Sequence, residues 1–215
     1  TNAYPLPAGL TATNITVKNT ATFNVNSNFS FGSLIIEGGG SVSVSSATLT
    51  MSGNLSNSGT LDLGGNKVAF AGGNTVSGTV SFTDVDISGA VNFGANSTIN
   101  GTLDVKSGGY VAAGNAPIYA ANSTLKYSSG GTYNRYAEWF SSGGKGLPYN
   151  VQISNNTTVN LGANGGDVET RSISGNLTID AGSALDMSAG SVMLRPLTVL
   201  GNITNSGILK LGGIS

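Results

Sequence analysis

Apolar and polar residues alternate in short runs along nearly the whole chain. Residues 48–51, 60–63, 176–179 and 208–211 show this alternation, and Gly, Asn or Ser bounds each run. A period of two places one set of side chains on one side of an extended backbone, which is typical of β-strands separated by tight turns. No window of about 11 residues combines a helical apolar period with the absence of Gly. The pattern therefore predicts an all-β chain that is almost free of helix.

The strands recur within longer repeats. The frame L-T-x-x-G-N-[LI]-[ST]-N-S-G-x-L-x-L-G-G spans residues 49–65 and returns at residues 197–213. A-N-S-T-I at residues 95–99 is followed by A-N-S-T-L at residues 121–125. A repeat of about 22–26 residues predicts a parallel β-helix (a β-solenoid), with on the order of eight to ten coils stacked over roughly 40–50 Å.

In a β-solenoid, one alternate set of side chains fills a narrow core and the other set faces solvent. Gly and Asn provide the backbone conformations of the corners, and Ser, Thr and Asn cover the outer strands. A β-sandwich or an antiparallel stack is the alternative, but the regular repeat and the scarcity of paired hairpin turns favour the parallel form. The alternation predicts these inward-facing residues: Leu55, Leu61, Leu63, Ile99, Leu103, Ile153, Leu177, Ile179, Ile203 and Leu209.

The repeats extend across residues 1–215 as a single domain with two departures. Residues 1–10 contain two prolines, which cannot donate to a strand ladder, and are interpreted as a lead-in or an N-terminal cap. Residues 127–149 form an aromatic-rich insertion. The chain starts without Met, so we expect a piece of a longer, processed protein. Its C-terminal strand edge, at residues 208–211, is expected to associate with another surface or to be covered by a continuation.

The composition removes several classes of function. The chain contains neither Cys nor His, which excludes thiol catalysis, disulfides, Cys/His zinc sites and Ser-His-Asp catalysis. The net charge is −1 and only 9% of residues are charged, so no nucleic-acid partner is indicated. Apolar residues make up 39%, which argues against disorder, but they never form the run of about 20 that a membrane helix needs. We therefore expect a folded protein with no cofactor, no membrane insertion and no enzymatic activity.

The insertion holds six of the 15 aromatic residues, including the only Trp. Aromatic rings beside Arg and Glu are common in sugar-binding and protein-binding sites, which makes the insertion a candidate ligand site. Its candidate residues are Tyr133, Arg135, Tyr136, Glu138, Trp139 and Phe140. The alternative is structural: the rings cover the flank of the stack and bury one another, with Tyr127 and Tyr149 in ordinary strands.

Four carboxylates are candidates for ion binding. Asp84 and Asp86 are two residues apart and share one face of a strand, and Asp167 and Glu169 follow an N-G-G turn. Paired carboxylates can bind Ca²⁺ or act as an acid and a base. No G-G-x-G-x-D calcium motif is present, and solvated corner positions are the simpler explanation. No metal site is therefore predicted.

Three segments resemble the repeats of very large bacterial surface and secreted proteins: S-G-N-L-T-I-D-A-G-S at residues 174–183, G-N-I-T-N-S-G at residues 201–207, and V-S-G-T-V-S-F-T-D-V-D-I at residues 76–87. The likeness is greatest to repeat regions from Bacteroidota, many of which are exported by the type IX system. It implies an extracellular β-helix and transfers no catalytic residue. No sorting domain of the type IX pattern follows the last repeat within the 215 residues, and the natural protein is expected to continue.

A repetitive solenoid of low charge predicts a non-enzymatic structural or adhesive module of a secreted cell-surface protein: a stalk, a filament or an adhesin segment. Its expected partners are neighbouring repeats and, through the insertion, surface glycans or other surface proteins. A carbohydrate-binding or carbohydrate-active β-helix is the first alternative. An ice-binding solenoid is the second, and it would require Thr-x-Thr pairs stacked in register. The chain has such pairs only at irregular spacing: residues 11/13, 20/22 and 48/50.

Overall fold

The strands predicted from the alternation are present, short and numerous. The computed structural model describes residues 11–112, 114–140, 144–162, 170–188 and 197–211, with residues 11–13 described by their backbone alone. Within these ranges the structure has 25 β-strands and no helix. The first fifteen are β1 (Thr11–Val17), β2 (Thr22–Val25), β3 (Phe29–Ile36), β4 (Ser41–Val44), β5 (Leu49–Met51), β6 (Leu55–Asn57), β7 (Thr60–Asp62), β8 (Val68–Phe70), β9 (Asn74–Phe82), β10 (Val85–Ile87), β11 (Ala90–Asn92), β12 (Asn96–Ile99), β13 (Thr102–Val105), β14 (Tyr110–Val111) and β15 (Ile118–Tyr119). The other ten are β16 (Thr124–Tyr127), β17 (Thr132–Asn134), β18 (Asn150–Ile153), β19 (Thr158–Asn160), β20 (Arg171–Ile173), β21 (Leu177–Ile179), β22 (Ala184–Asp186), β23 (Leu197–Val199), β24 (Ile203–Asn205) and β25 (Ile208–Lys210).

The named strands pair in parallel with strands one coil earlier or later, so the chain winds as a β-solenoid of about nine turns. The long ladder runs β3–β5–β8–β10–β13–β16–β18–β21–β24 along one face. A second face carries β3–β6–β9–β11–β14, and β1 lies beneath β3. Shorter ladders complete the wall: β2–β4–β7, β9–β12–β15, β17–β19–β22–β25 and β20–β23. The prediction of a parallel β-helix is confirmed.

The length of the coil changes along the stack. Val68 pairs with Val85, which is 17 residues later, whereas Leu125 pairs with Val151, which is 26 residues later. Coils before Leu125 take 17–22 residues and coils after it take 24–26. The predicted repeat of about 22–26 residues is therefore right for the C-terminal half and wrong for most of the N-terminal half. β3 and β9 each continue across two faces, but the 18-residue coil from Val85 to Leu103 contains neither of them, so the continuous strands do not by themselves explain the shorter coils.

Residues that look equivalent in sequence do not always stack on one another. Ile99 and Leu125 close the two A-N-S-T repeats. Ile99 pairs with Tyr119, and Leu125 pairs with Leu103. The 17-residue frame forms three strands in both of its copies, β5–β6–β7 and β23–β24–β25. In the first copy the first strand of the frame, β5, lies on the long ladder, whereas in the second copy the second strand, β24, lies there. The frame therefore encodes three successive strands but does not determine which face each strand occupies.

A continuous apolar core follows the axis of the stack, because the inward side chains of each coil rest on those of the next. The rings of Phe70, Phe82 and Phe93 meet edge to face, with centroids 5.9–6.3 Å apart. Most of the residues predicted to face inward are buried: Leu55, Leu63, Ile99, Leu103, Ile153, Leu177 and Ile179.

Three of the predicted core residues are less enclosed. Leu61 and Leu209 are partly buried and pack against the core. Ile203 pairs with the buried Leu177 and so takes the inward position that was predicted, but it lies in the last described coil and is 52% exposed. The reason is physical: an inward residue of a solenoid is covered only when coils lie on both sides of it.

Asparagine side chains reinforce the backbone ladder between successive coils. The Oδ1 atom of Asn150 accepts a hydrogen bond from the backbone N–H of Asn176 at 2.9 Å, and Asn176 accepts one from Asn202 at 2.8 Å. Asn54 accepts in the same way from the backbone N–H of Thr75 at 2.8 Å. An amide that bridges coils in this way carries no charge, which is consistent with the small number of charged residues on the wall.

Two further expectations concern the N-terminus and the threonine pairs. The lead-in or cap predicted at residues 1–10 lies outside the described residues. Thr50 lies between Ser30 and Ala69 on the long ladder, so the 48/50 pair does not stack on another Thr-x-Thr pair. In the part of the chain that the structure describes, no helix is long and apolar enough to cross a membrane.

Candidate functional site

The described part of the insertion does not project from the stack as a binding loop. Tyr127 belongs to β16 and is fully buried between Val105 and Ile153, which makes it an ordinary strand residue. β17 pairs with β19, and the backbone N–H of Ala137 donates to the carbonyl of Val111 at 3.3 Å. These residues continue the wall of the solenoid, as the structural alternative predicts.

Trp139, one of the candidate ligand-site residues, is fully buried, so its ring is not accessible to a ligand. Its indole Nε1–H donates to the carbonyl of Ser172 at 3.2 Å. Its own carbonyl accepts hydrogen bonds from the Nη1 atom of Arg135 at 3.1 Å and from that of Arg171 at 3.2 Å. Both arginines are buried. Because Arg171 and Ser172 belong to β20, these contacts fasten the insertion to a later coil.

Glu138 has no exposed surface and lies among tyrosines. Its Oε1 atom accepts hydrogen bonds from the backbone N–H of Tyr136 at 2.9 Å and from the hydroxyl of Tyr127 at 3.2 Å. Burial raises the pKa of the Glu138 carboxyl above its usual range, and hydrogen bonds from backbone N–H groups oppose this only in part. Burial likewise raises the pKa of Tyr127, which keeps its hydroxyl protonated as a donor. The carboxyl is enclosed and cannot meet a ligand directly.

Two of the six predicted site residues reach the surface: Tyr136 is 41% exposed and Phe140 is 39% exposed. The Tyr136 ring lies on that of Tyr110, with centroids 4.8 Å apart, and meets the Tyr133 ring edge to face at 6.0 Å. The guanidinium of Arg171 lies 5.8 Å from the centroid of the Phe140 ring. The other four predicted residues are buried. A ligand of the insertion would therefore meet Tyr136 and Phe140, and binding there stays a prediction.

A second candidate lies on the outer face of the long ladder, where charged residues gather. Asp86, Asp104 and Lys126 occupy consecutive positions of one outward column, on β10, β13 and β16. A groove of about 250 Å³ lies over them, and its lining also includes Lys67 and Gln152. In a chain with 9% charged residues, this column concentrates charge on a single face.

Ion pairs hold the charged groups of the groove in place. Asp86 lies directly beside Asp104 on the neighbouring strand. Two like charges in this position repel each other and destabilise a sheet unless positive charges lie close to them. Lys67 pairs with Asp86 at 3.0 Å, Lys106 pairs with Asp104 at 2.6 Å, and Lys126 lies 3.7 Å from Asp104. Partial burial lowers the pKa of Lys106, but the hydrogen bond to Asp104 and its charge outweigh this effect and raise the pKa above its usual value. The groove is thus lined by fixed groups of both signs.

Sequence reasoning missed this groove because its residues are far apart in the chain. Asp86 and Asp104 are 18 residues apart, and Lys126 follows after a further 22. Only the register of the stack brings them together, and that register departs from the repeat visible in the sequence. The available signal was the placement of a charged residue at the outward position of successive short strands.

The groove also changes the interpretation of the first carboxylate pair. Both members have protein partners. The backbone N–H of Thr102, in the next coil, donates to the Oδ1 atom of Asp84 at 2.8 Å, and Lys67 forms an ion pair with Asp86. Asp167 and Glu169 lie outside the described residues. Among the residues that are described, no group of three or more His, Cys, Asp or Glu side chains could hold a metal ion.

We expect Trp139→Ala to lower the melting temperature strongly, because removing a fully buried Trp leaves a cavity that costs about 3–5 kcal/mol. Tyr136→Ala changes an exposed ring of the same insertion and is the matched control, with a much smaller expected loss. Thermal unfolding followed by far-UV circular dichroism measures both variants. Equal losses in the two variants would contradict the structural role of Trp139.

We expect the buried carboxyl of Glu138 to make the stability of the fold depend on pH. Its folded-state pKa lies above the value of about 4.3 for an unfolded Glu, so folding favours the protonated form. This contribution is fully present below the unfolded-state pKa and is lost as the pH rises through the folded-state pKa. Glu138→Gln stays neutral at every pH and should remove this part of the dependence. The measurement is the free energy of unfolding of both proteins across a pH series, and curves that run parallel would refute the expectation.

Comparison with known proteins finds no relative of this chain. No protein family matches the sequence, and neither the curated proteins nor the solved structures include a match to the chain. A function for this β-solenoid therefore has to be inferred from its own residues and geometry.

Proposed function

We propose that this chain is a non-enzymatic structural or adhesive module of an extracellular bacterial surface protein, in which it serves as a stalk, a filament or an adhesin segment. The observation that carries the proposal is the order of the coils. Consecutive coils stack in chain order from β1 to β25, so the described chain starts at one end of the stack and finishes at the other. At the strand spacing, about nine coils reach roughly 40 Å. A module of this form adds length in one direction.

Two structural features suit a rigid spacer. Parallel backbone hydrogen bonds connect each coil to its neighbours, and asparagine side chains add further bonds between coils. The insertion, which interrupts the repeat in the sequence, is bonded to the stack: Trp139 donates to the carbonyl of Ser172, and Arg135 donates to the carbonyl of Leu161. The resemblance of the repeats to those of bacterial surface proteins supports the extracellular location.

The proposal is tested in the source cells. Antibodies against the chain should label intact cells, and external protease should remove the label. A strain that lacks this segment should lose adhesion, and an unrelated rigid spacer of the same length should restore it if the segment acts as a stalk. Failure of the spacer to restore adhesion would assign ligand binding to the segment itself. Retention of the protein inside the cell would refute the proposal.

A carbohydrate-binding function is the second candidate, and the groove over the long ladder is the observation that favours it. Thr102 and Thr124 line the groove, and each brings a side-chain hydroxyl group. The partly exposed Asp86 and Lys126 line the same groove and add an acceptor and a donor of opposite charge. Hydroxyl groups, carboxylates and ammonium groups in near balance match the hydroxyl groups of a neutral glycan better than a charged polymer.

We expect Lys126→Ala to weaken the binding of neutral glycans by about tenfold or more, the effect of losing one hydrogen bond to a charged group. Lys210→Ala is the matched control, because it breaks a 2.8 Å ion pair with Asp186 on a different ladder. Tyr136→Ala tests the exposed ring of the insertion in the same experiment. A glycan array followed by titration calorimetry measures all three. The groove is excluded as the site if the wild-type chain binds no neutral glycan, or if Lys210→Ala loses as much affinity as Lys126→Ala.

A further inference from the structure

The groove over the long ladder runs along the axis of the stack, because the outward positions of the ladder form columns in that direction. Asp86, Asp104, Lys126 and Gln152 are register partners in turn, one on each of the strands β10, β13, β16 and β18. Thr102 lies beside this column, on the same strand as Asp104. All five residues line the groove, so a ligand that fills it lies across several coils.

Five consecutive coils of the ladder each give the groove a polar side chain that solvent reaches. These side chains are partly exposed and belong to Lys67, Asp86, Thr102, Lys126 and Gln152. Five coils are separated by four spacings of about 4.8 Å, so the polar groups extend over roughly 19 Å. The groove therefore offers a row of contacts that repeats at the coil spacing.

The long side chains of this row are held by neighbours within the wall. Lys67 lies 3.0 Å from the carboxylate of Asp86, and Lys126 lies 3.7 Å from that of Asp104. The Nε2 atom of Gln152 donates to the Oδ2 atom of Asp180 at 2.9 Å. Side chains that are already ordered lose less conformational freedom when a ligand binds.

The spacing of the row distinguishes between classes of linear polymer. An extended peptide advances by about 3.3 Å per residue, so its residues would lose register with the coils within two or three positions. A polysaccharide joined through equatorial bonds, as in β-1,4-linked glucose or xylose, is straight, and each sugar advances it by nearly the spacing of two coils. Each sugar of such a chain can therefore meet the same kind of contact on its own coil.

The charge of the lining excludes strongly charged polymers. Two ammonium groups, of Lys67 and Lys126, face three carboxylates, of Asp84, Asp86 and Asp104. A polyanion such as a nucleic acid or a polyuronate would meet no surplus of positive charge. Neutral sugar hydroxyl groups can donate to the carboxylates and accept from the ammonium groups.

We propose that the groove binds an unbranched, neutral β-1,4-linked polysaccharide that lies parallel to the axis of the stack, with one sugar on each of about five coils. The inference rests on the carbohydrate-binding function proposed for the groove, and it adds the linkage, the direction and the length of the ligand.

The dependence of affinity on ligand length tests the inference. Titration calorimetry is carried out with β-1,4-linked oligosaccharides of two to seven sugars, in one series of glucose and one of xylose. We expect the affinity for at least one series to rise by about fivefold for each sugar, the effect of about one net hydrogen bond, and to level off near five sugars. Maltopentaose, whose α-1,4 linkages curve the chain, should bind at least tenfold more weakly than the β-1,4-linked pentaose.

Two variants test the direction of the ligand. Gln152 lies in the last coil that lines the groove, and Gln152→Ala should weaken binding of the pentaose by about fivefold. Thr178 is the register partner of Gln152 on the next coil and does not line the groove, so Thr178→Ala is the matched control and should leave the affinity unchanged.

The possible failures are distinguishable. A chain that binds no neutral glycan refutes both the carbohydrate-binding function and the inference. Binding that does not strengthen with length, or that is equally tight for maltopentaose, overturns the inference alone and leaves a groove for short sugars. Equal losses in Gln152→Ala and Thr178→Ala would also overturn it, because the ligand would then not end where the groove ends.

Discussion

The hydrogen bond between one coil and the next, made in parallel and in register, is the interaction on which the rest of this molecule depends. It sets the spacing of the coils at about 4.8 Å, so each inward side chain rests on one from the neighbouring coil. A narrow solenoid has no second layer of structure to define its core. Asn150 and Asn176 extend the same bonding to side chains, with an amide that needs no counter-charge. A wall of Ser, Thr and Asn is sufficient because the ladder, and not the outer surface, holds the fold together.

The strands were predictable from the sequence because alternation with a period of two is a local property. Leu177 and Ile179 are two residues apart and both are buried, as their strand pattern requires. The coil length was not predictable, because it depends on how each corner is made. β3 and β9 cross between faces without a turn. They are the only named strands that contain a glycine, but glycine also marks many corners of the chain, so its presence does not tell a continuous strand from one that ends at a corner. For the same reason the register, and with it the groove, could not be derived from the visible repeat.

The burial of the insertion shows a second limit of local reasoning. Its aromatic composition suggested an exposed site, yet the partners that enclose Trp139 include Ser172 and Arg171, which belong to a later coil. No pattern within the insertion reveals them. Two of the carboxylates differ in their exposure to solvent. Glu138 is enclosed, and burial raises its pKa. Asp86 is partly exposed and forms an ion pair with Lys67. The enclosed group serves the fold, and the exposed groups are the ones that can meet a ligand.

The central claim is that the insertion and the repeats form one stack, and the single Trp of the chain tests it directly. Chemical unfolding is followed on the same samples by Trp139 fluorescence and by far-UV circular dichroism. Because Trp139 is fully buried and is bonded to a later coil, we predict that the two signals change in one coincident transition. A fluorescence transition at clearly lower denaturant than the loss of β-structure would show that the insertion unfolds by itself, and would contradict the account.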